Sequence, residues 1–264
     1  MPKSLTLLSW NIYMLPKLVL RAGKLQRAHG IVKALKNFPS DIIVFQEAFL
    51  PEARKVIENG LAAVFPFQYG PANNTWHIKS SSGVWVLSKI ALQIVETVRF
   101  KHCADADRFV RKGAMLLSGV ADGKQFQLVA AHCQANDDRR WERSTQMQQL
   151  RDELIFPFQS ESIPQFICAD MNVPVQKLGE YDLMLELLDA TDTPLSGPTR
   201  FTYDGFHNTI VQSLGYRSEH TTYDYILLRE NKAGIKNIRK SIQVFRHEGK
   251  DLSDHYALLC EIDW

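Results

Sequence analysis

Short apolar runs separated by turn residues dominate the hydrophobic pattern of this chain. Residues 4–12, 42–46, 83–88, 92–100, 114–120, 125–132, 165–170, 201–202, 223–228, 242–245 and 256–262 are rich in Val, Ile, Leu and aromatic side chains and predict strands. LLSGVADGKQFQLVAAH, two such runs around Asp122-Gly123, is the clearest hairpin. Helical spacing is rarer. Leu25, Ala28, Ile31, Val32 and Leu35 form one stripe within residues 25–37. Residues 51–59 open with Pro and stop at Asn59-Gly60, and residues 140–156 and 181–188 complete the helices. Strands outnumber helices, which separate only some of them. The expectation is one α/β (α+β) domain over residues 1–264, with two packed, mixed or largely antiparallel sheets and helices on their outer faces. A doubly wound fold would need a helix after nearly every strand and a Gly-rich phosphate loop, and the sequence has neither.

Composition narrows the function classes. Hydrophobic residues at 45% and charged residues at 23% are ordinary for a globular protein. Formal net charge is +2, from 31 basic and 29 acidic residues, a weak footprint for a protein that grips many nucleic-acid phosphates. The four cysteines, Cys103, Cys133, Cys168 and Cys260, form no CxxC pair, so zinc-finger and redox readings fail on spacing. The last three lie in apolar runs and are expected to be buried and reduced. MPKSLTLLSWNIYML lacks the charge, apolar run and cleavage site of a signal peptide, and no stretch is long and apolar enough to span a bilayer. A cytoplasmic monomer is the expectation, with secretion by a leaderless or removed-leader route as the alternative.

The polar residues of interest share one position, the end of an apolar strand. Asn11 follows Leu5–Ser9, Glu47 follows Ile42–Phe45, His132 follows Phe126–Ala131, and Asp170 follows Phe166–Ala169. Asp224 precedes Tyr225–Leu228, and Asp254-His255 precedes Tyr256–Cys260. Carboxylates at such positions are costly unless paired, hydrogen-bonded or bound to a cation. Glu47, Asp170 and Asp254 offer hard carboxylate oxygens, while Asn11 and Asn172 offer neutral ones. This donor set suits Mg²⁺, with Mn²⁺ or Ca²⁺ as alternatives, better than a zinc site. His132 and His255 are the proton-transfer and phosphate-binding candidates, since imidazole ordinarily titrates near neutral pH, and they complete the means for phosphate-ester hydrolysis. The remaining histidines, His29, His77, His102, His207, His220 and His247, lack the strand-end pattern and read as surface or loop residues. Arg139, Arg140 and Arg143 read as a solvated helix face, and Trp76, Trp85 and Trp141 as packing residues, with Trp76 the one candidate for stacking on a headgroup.

SWNIYMLP, VFQEAF, SGVWVLSK, AAHCQA, CADMNV, TYDYILL and LSDHYALL resemble, in order and over nearly the whole chain, the motifs of the endonuclease/exonuclease/phosphatase superfamily. Within it, NIYMLP, HCQAND, FTYDGFHNTI and CADADRFVRKG are most similar to the neutral, bacterial type of sphingomyelinase. The resemblance implies a four-layer, DNase-like sandwich and a metal-dependent phosphodiesterase that converts sphingomyelin to ceramide and phosphocholine. It implies Glu47 as principal metal ligand with Asn11 and Asp254 nearby. Asp170 would orient or deprotonate the attacking water, and Asn172 would help hold phosphate or water. Asp224 would orient His255, the general base; His132 would donate to a phosphoryl oxygen. Asp107 and Lys112 resemble an Asp–Lys switch.

The chain departs from that pattern twice. No cysteine in residues 135–144 can pair with Cys103, as a cysteine pair does in the bacterial enzymes. In place of their aromatic-tipped membrane hairpin, residues 231–250 are basic with Phe245 as the sole Phe, Tyr or Trp. Lys232, Lys236, Arg239 and Lys240 there predict contact with anionic headgroups without deep insertion. Two other readings stand beside the leading one: the same chemistry on nucleic acid or an inositol phosphate, which the mild charge and the subgroup segments disfavour, and a degenerate binding module, which would have lost a catalytic position.

Overall fold

In the computed structural model, residues 4–16, 23–73, 81–229 and 234–264 are described. The chain begins β1 (Ser4–Met14), α1 (Lys24–Leu35), β2 (Ile42–Ala48), α2 (Pro51–Leu61), β3 (Phe67–Tyr69), β4 (Trp85–Ser88) and β5 (Leu92–Arg99). After a 3-10 turn at Asp105–Phe109 it continues through β6 (Gly113–Ala121), β7 (Lys124–His132) and α3 (Arg140–Leu150), which runs on as a wider turn to Ile155. Then come β8 (Gln165–Asp170), α4 (Leu178–Leu188), β9 (Leu195–Ser196), β10 (Tyr203–Asp204), α5 (Thr209–Ser213), β11 (His220–Thr221) and β12 (Asp224–Arg229). The final strands are β13 (Asn237–Gln243), β14 (Arg246–His247), β15 (Lys250–Asp251) and β16 (Ala257–Asp263).

Two large sheets, ordered β3-β4-β2-β1-β16-β13-β9 and β12-β8-β7-β6-β5, pack face to face. Both are mixed, as expected: β1 runs parallel to β2, and β7 parallel to β8. Alternation along the central strands explains the layering, because successive side chains point to opposite faces. Leu5 and Leu7 of β1 join Val44, Leu128, Phe166 and Leu258 between the sheets. Leu8, Trp10 and Ile12 face outward under α1 and α2, where Ala28, Ile31, Leu35, Ala53 and Ile57 cover them. On the other sheet Val129, Ala131, Ile167 and Ala169 lie under Met147, Leu150, Met184 and Leu188 of α3 and α4. The result is helix, sheet, sheet, helix. The predicted hairpin forms between β6 and β7, and Asp122 and Gly123 take the left-handed φ values of 50° and 79° that a tight turn requires.

The predicted strand at residues 242–245 lies instead at Asn237–Gln243. Its inward face carries Ile238, Lys240 and Ile242, and Lys240 is buried because its ammonium pairs with Asp192. A lysine on the inner face hides the period-2 signal. The run at 201–202 becomes β10, two residues later. β3, β9, β11, β14 and β15 are two or three residues long, too short to leave a pattern. The four cysteines are free, and only Cys103 is not buried. Among the described residues no helix is long and apolar enough to cross a membrane.

Candidate active site

Strand direction gathers the polar strand ends. Asn11 pairs with Gln46 across the parallel β1–β2 ladder, which brings Glu47 to the same edge. His132 pairs with Asp170, and Asp170 with Asp224 on the antiparallel β12. Because β16 runs antiparallel to β1, its start, just after Asp254-His255, lies beside the end of β1. All seven strand-end residues named from the sequence therefore face one mouth of the sandwich. Tyr13, Glu47 and Asn172, at the exits of β1, β2 and β8, have φ of 50°, 53° and 53°. Left-handed backbone in non-glycine residues is uncommon and collects at functional sites.

Two buried histidines have opposite surroundings. His255 Nδ1 lies 2.7 Å from Asp224 Oδ2. Burial alone would lower the His255 pKa, but the charge and hydrogen bond of Asp224, with Asp170 and Asp254 beyond, lift it well above its ordinary value. Asp224 accepts the Nδ1 proton and leaves Nε2 as the second site. His132 Nε2 lies 3.0 Å from Lys112 Nζ and 3.7 Å from Asp170 Oδ2. Burial, then Lys112 and His255, hold its pKa well below the usual histidine value, so His132 is neutral. An ammonium can only donate, so Nε2 accepts and the proton resides on Nδ1. That Nδ1 has no hydrogen-bond partner among the described residues, and a buried donor of this kind is rare without a ligand.

Lys112 is buried, with its ammonium also 2.9 Å from Asp107 Oδ2 and 2.5 Å from the Cys133 carbonyl. Asp107 in turn accepts the Ala135 N–H at 2.9 Å. The expected pair exists, and it ends on His132.

The carboxylates are crowded. Asp170 accepts from Asn11 Nδ2 at 2.8 Å and from the Asn172 N–H at 3.0 Å, and Asn172 Nδ2 donates to the Cys133 carbonyl at 3.1 Å. Burial and Asp224 push the Asp170 carboxyl up to about 6. Burial and Asp254 push Glu47 to about 8. Asp254 is raised too, chiefly by burial. Glu47 Oε2 and Asp224 Oδ1 are buried without a partner among the described residues. Asp170, Asp224 and His255 can bring one ligand atom each within 4.8 Å of one another, a set different from the expected Glu47, Asn11 and Asp254. Asn11 holds Asp170 through its amide and accepts the Tyr13 N–H at 3.1 Å, so its first task is bracing.

Several supporting residues escaped the sequence reading. Thr202 Oγ1 accepts the Tyr223 N–H at 3.1 Å, and the Thr202 carbonyl accepts the Tyr256 N–H at 2.7 Å, which fixes the chain around both Asp224 and His255. Asn208 caps α5 through Oδ1 and donates from Nδ2 to the Ser253 and Asp254 carbonyls at 2.9 and 3.2 Å. Both lie in FTYDGFHNTI, which gives that segment a physical role. Arg143, expected on a solvated face, is buried; it pairs with Glu180 at 2.6 Å and donates to the Gln134, Asn136 and Asp137 carbonyls, holding the loop after His132. Trp85 is core, but Trp141, expected to pack, is 61% exposed; Trp76 and His77 lie outside the described residues.

The basic stretch is also revised. Lys240 is buried and so not available to headgroups, while Arg239 is half exposed and pairs with Glu261 and Asp263. Lys236 precedes the β13 residue paired with Asp263, at the far end of the sheet from His255, and Lys232 is outside the described residues. Phe245 packs inward, 4.9 Å from Trp10 and 5.1 Å from Phe38.

Beside His255 opens a cleft of about 1080 Å³. Asn172, Asp254 and His255 reach it from the site, and Tyr13, Asp137, Asp138, Lys177, Tyr203, Tyr216, Glu219, His220 and Tyr223 form its walls. His220 is exposed, as expected of a surface residue, and also lines the cleft. Proximity to polar sheet ends and concave shape make this the candidate active site.

The profile of the Endonuclease/Exonuclease/phosphatase family matches residues 8–255. Sphingomyelinase C 2 of Leptospira interrogans is 28% identical over 288 residues, covering 95% of this chain and 45% of its own length. A second Leptospira sphingomyelinase C is covered over 50%, so the chain spans about half the length of these relatives. The crystal structure of sphingomyelinase C from Streptomyces griseocarneus is 24% identical with a TM-score of 0.85, covering 98% of this chain and 99% of that one. A Staphylococcus aureus beta toxin variant with bound magnesium ions shows the same TM-score at 22% identity, over 97% and 99%. These two likenesses show the fold.

Proposed function

The chain belongs to the Endonuclease/Exonuclease/phosphatase family, and on that premise we propose that it is a divalent-metal-dependent phosphodiesterase acting on sphingomyelin, releasing ceramide and phosphocholine. The observation that carries the chemistry is the Asp224–His255 pair at 2.7 Å, set beside Asp170 at the base of the cleft. The substrate comes from the relatives, whose names are those of sphingomyelinases.

Asp224 fixes the Nδ1–H of His255, and once the ring has given up the Nε2 proton that the surrounding carboxylates favour, Nε2 can take the proton of an attacking water, as in a carboxylate-oriented catalytic imidazole. Asp170, locked by Asn11 and Asn172, faces the same water. The unpartnered Nδ1–H of His132 donates to a phosphoryl oxygen and stabilises the charge that develops there. Asn172 keeps Asp170 and the Cys133 carbonyl in place.

The site fits a hard divalent cation. Glu47 offers a buried, unpartnered carboxylate oxygen whose proton affinity is raised by burial and by Asp254, the mark of negative charge lacking compensation. Glu47 and Asp254 would hold Mg²⁺. When bound, the ion supplies positive charge beside the phosphoryl oxygens.

Polyanionic substrates fit less well. Among the described residues, Asp137, Asp138, Glu219 and Asp254 line the cleft against one ammonium, that of Lys177, which is itself paired with Asp137 at 3.0 Å. The test is a substrate panel with Mg²⁺. Micellar sphingomyelin is expected to yield phosphocholine, while plasmid DNA and inositol phosphates stay intact; nicking of DNA without phosphocholine release sinks the proposal.

A further inference from the structure

The start of α1 supplies two cations to the backbone beside Asn11 and Asp254. Lys24 is buried, and its ammonium donates to the Leu15 and Pro16 carbonyls at 2.9 and 3.1 Å. Arg27, half-buried one turn further on, reaches three carbonyls on two segments. Nη1 donates to the Ile12 carbonyl at 3.0 Å and to that of Leu252 at 2.8 Å, and Nη2 donates to the Tyr13 carbonyl at 2.6 Å. Ile12 and Tyr13 follow Asn11, and Leu252 stands just before Ser253-Asp254. One guanidinium therefore ties the exit of β1 to the segment that leads into Asp254 and His255.

The tie bears on side chains as well as backbone. Tyr13 has a left-handed φ of 50°, a conformation that persists in a tyrosine only where neighbours hold it. Its N–H donates to Asn11 Oδ1 at 3.1 Å, while its carbonyl accepts from Arg27. With Oδ1 so engaged, the Asn11 amide turns Nδ2 toward Asp170, to which it donates at 2.8 Å. On the other segment, Ser253 Oγ donates to the Asn11 carbonyl at 2.6 Å and lies 3.1 Å from Asp254 Oδ1. The charge of Arg27 also reaches Asp254: burial raises that carboxyl, and His255, then Arg27, work against the rise. Arg27 opens onto a different cavity, of about 770 Å³, which it shares with Gln26, Thr209 and Leu252. It acts from behind the site.

We infer that Arg27 is a positioning residue for Mg²⁺ binding, holding the turn of Asn11 and the approach to Asp254 at a fixed separation. This rests on the metal reading above and deepens it. A planar fork of five donors can hold carbonyls in several directions at once, whereas a lysine ammonium on its flexible stem cannot fix the same geometry. The role also predicts a sign. Removing a positive charge from beside carboxylates tightens cation binding if charge is all that matters. Loosening the tie weakens it, because groups that orient metal ligands are worth about tenfold to 100-fold in affinity.

Mg²⁺ titration of the EDTA-stripped chain, read by calorimetry and by the shift in Tm, separates the two effects. Arg27→Gln is expected to weaken Mg²⁺ binding about tenfold to 100-fold despite the lost positive charge. Arg27→Lys, which keeps the charge and loses the fork, weakens it in the same direction by a smaller factor. At saturating Mg²⁺ the KM for sphingomyelin stays near wild type in both, so the loss shows in the Mg²⁺ requirement. Tighter or unchanged Mg²⁺ binding by Arg27→Gln overturns the role. So does a Tm in EDTA that falls in both variants while their Mg²⁺ affinity holds, the mark of a purely structural part. Should Arg27→Gln be too unstable to titrate, Arg27→Lys decides alone, and wild-type affinity there overturns the role. A wild type that binds no Mg²⁺ removes the metal reading itself, whereas wild-type binding with unaltered variants removes only the part given to Arg27.

Discussion

His132 and His255 end or begin central strands of the two sheets, both are buried, and they belong to one site, yet their charge states are opposed. His255 faces Asp224 and is held toward the imidazolium; His132 faces Lys112 and is held neutral. Burial penalises the charged form at both positions, so the partner's sign decides. A raised His255 with Asp224 on Nδ1 handles a proton at Nε2, whereas a neutral His132 with Lys112 on Nε2 is a fixed donor at Nδ1. One residue type serves two tasks because the site supplies one carboxylate and one ammonium.

The comparison can be broken most forcefully at His255. His255→Ala is expected to lower kcat about 10²–10⁴-fold, the usual worth of a general base, and a rate near wild type on sphingomyelin would end that assignment. Asp224→Asn follows, since the amide no longer fixes Nδ1–H, with a loss of about the same order and, in nitrogen NMR, a shifted His255 tautomer.

On the other side, Lys112→Met removes the donor that fixes His132. The expected loss in kcat is about tenfold to 10²-fold with little change in KM, as for one oxyanion donor weakened rather than deleted. The His132 ring should at the same time show mixed tautomers; a pure Nδ1–H form in the variant would mean that Lys112 does not set it. Asp107→Asn acts one step further out and should cost less than Lys112→Met in the same assays.

Titration sharpens the contrast without mutation. In cation-free protein the His255 ring signals should stay in the protonated form well above the ordinary histidine value, and those of His132 in the neutral form well below it. Carboxyls whose folded-state pKa is raised favour folding while protonated. Cation-free protein should therefore lose thermal stability as pH rises through about 6, for Asp170, and about 8, for Glu47. Mg²⁺ competes with those protons, so its stabilising shift in Tm should grow over the same range and be absent in Glu47→Gln. A Tm that is flat with pH in EDTA would contradict the crowding of carboxylates described here.

The smallest effect concerns the frame. Asn208→Ala removes the cap of α5 and two donors to the Ser253 and Asp254 carbonyls, and should destabilise by about 1–2 kcal/mol in denaturant unfolding.

Much of this was legible in the chain. Asn11, Glu47, His132, Asp170, Asp224, Asp254 and His255 adjoin strands whose apolar alternation is strong, and strand polarity then leaves them no other end of the sandwich. The hairpin at Asp122-Gly123 and the helix stripes were equally local. Less readable were features set by distant partners. Arg143 reads as solvated until Glu180 and three loop carbonyls surround it. Lys240 breaks the pattern of β13 until Asp192 neutralises it. Trp141 has an apolar side chain that stays largely exposed, with the edge of His102 as its ring contact among the described residues.

The sequence by itself determined most of the long strands and helices, which strand ends carry oxygen and imidazole groups, and, through ordered motifs, the family. Period and propensity are local properties, written in neighbouring residues. Only the tertiary structure decided that Lys112 stands on His132, that Glu47 and Asp224 carry unpartnered buried oxygens, and that Tyr203, Tyr223 and Glu219 share one wall. Those outcomes depend on distances between residues far apart in the chain, and a protonation state follows the charges around a group, not its place in the sequence.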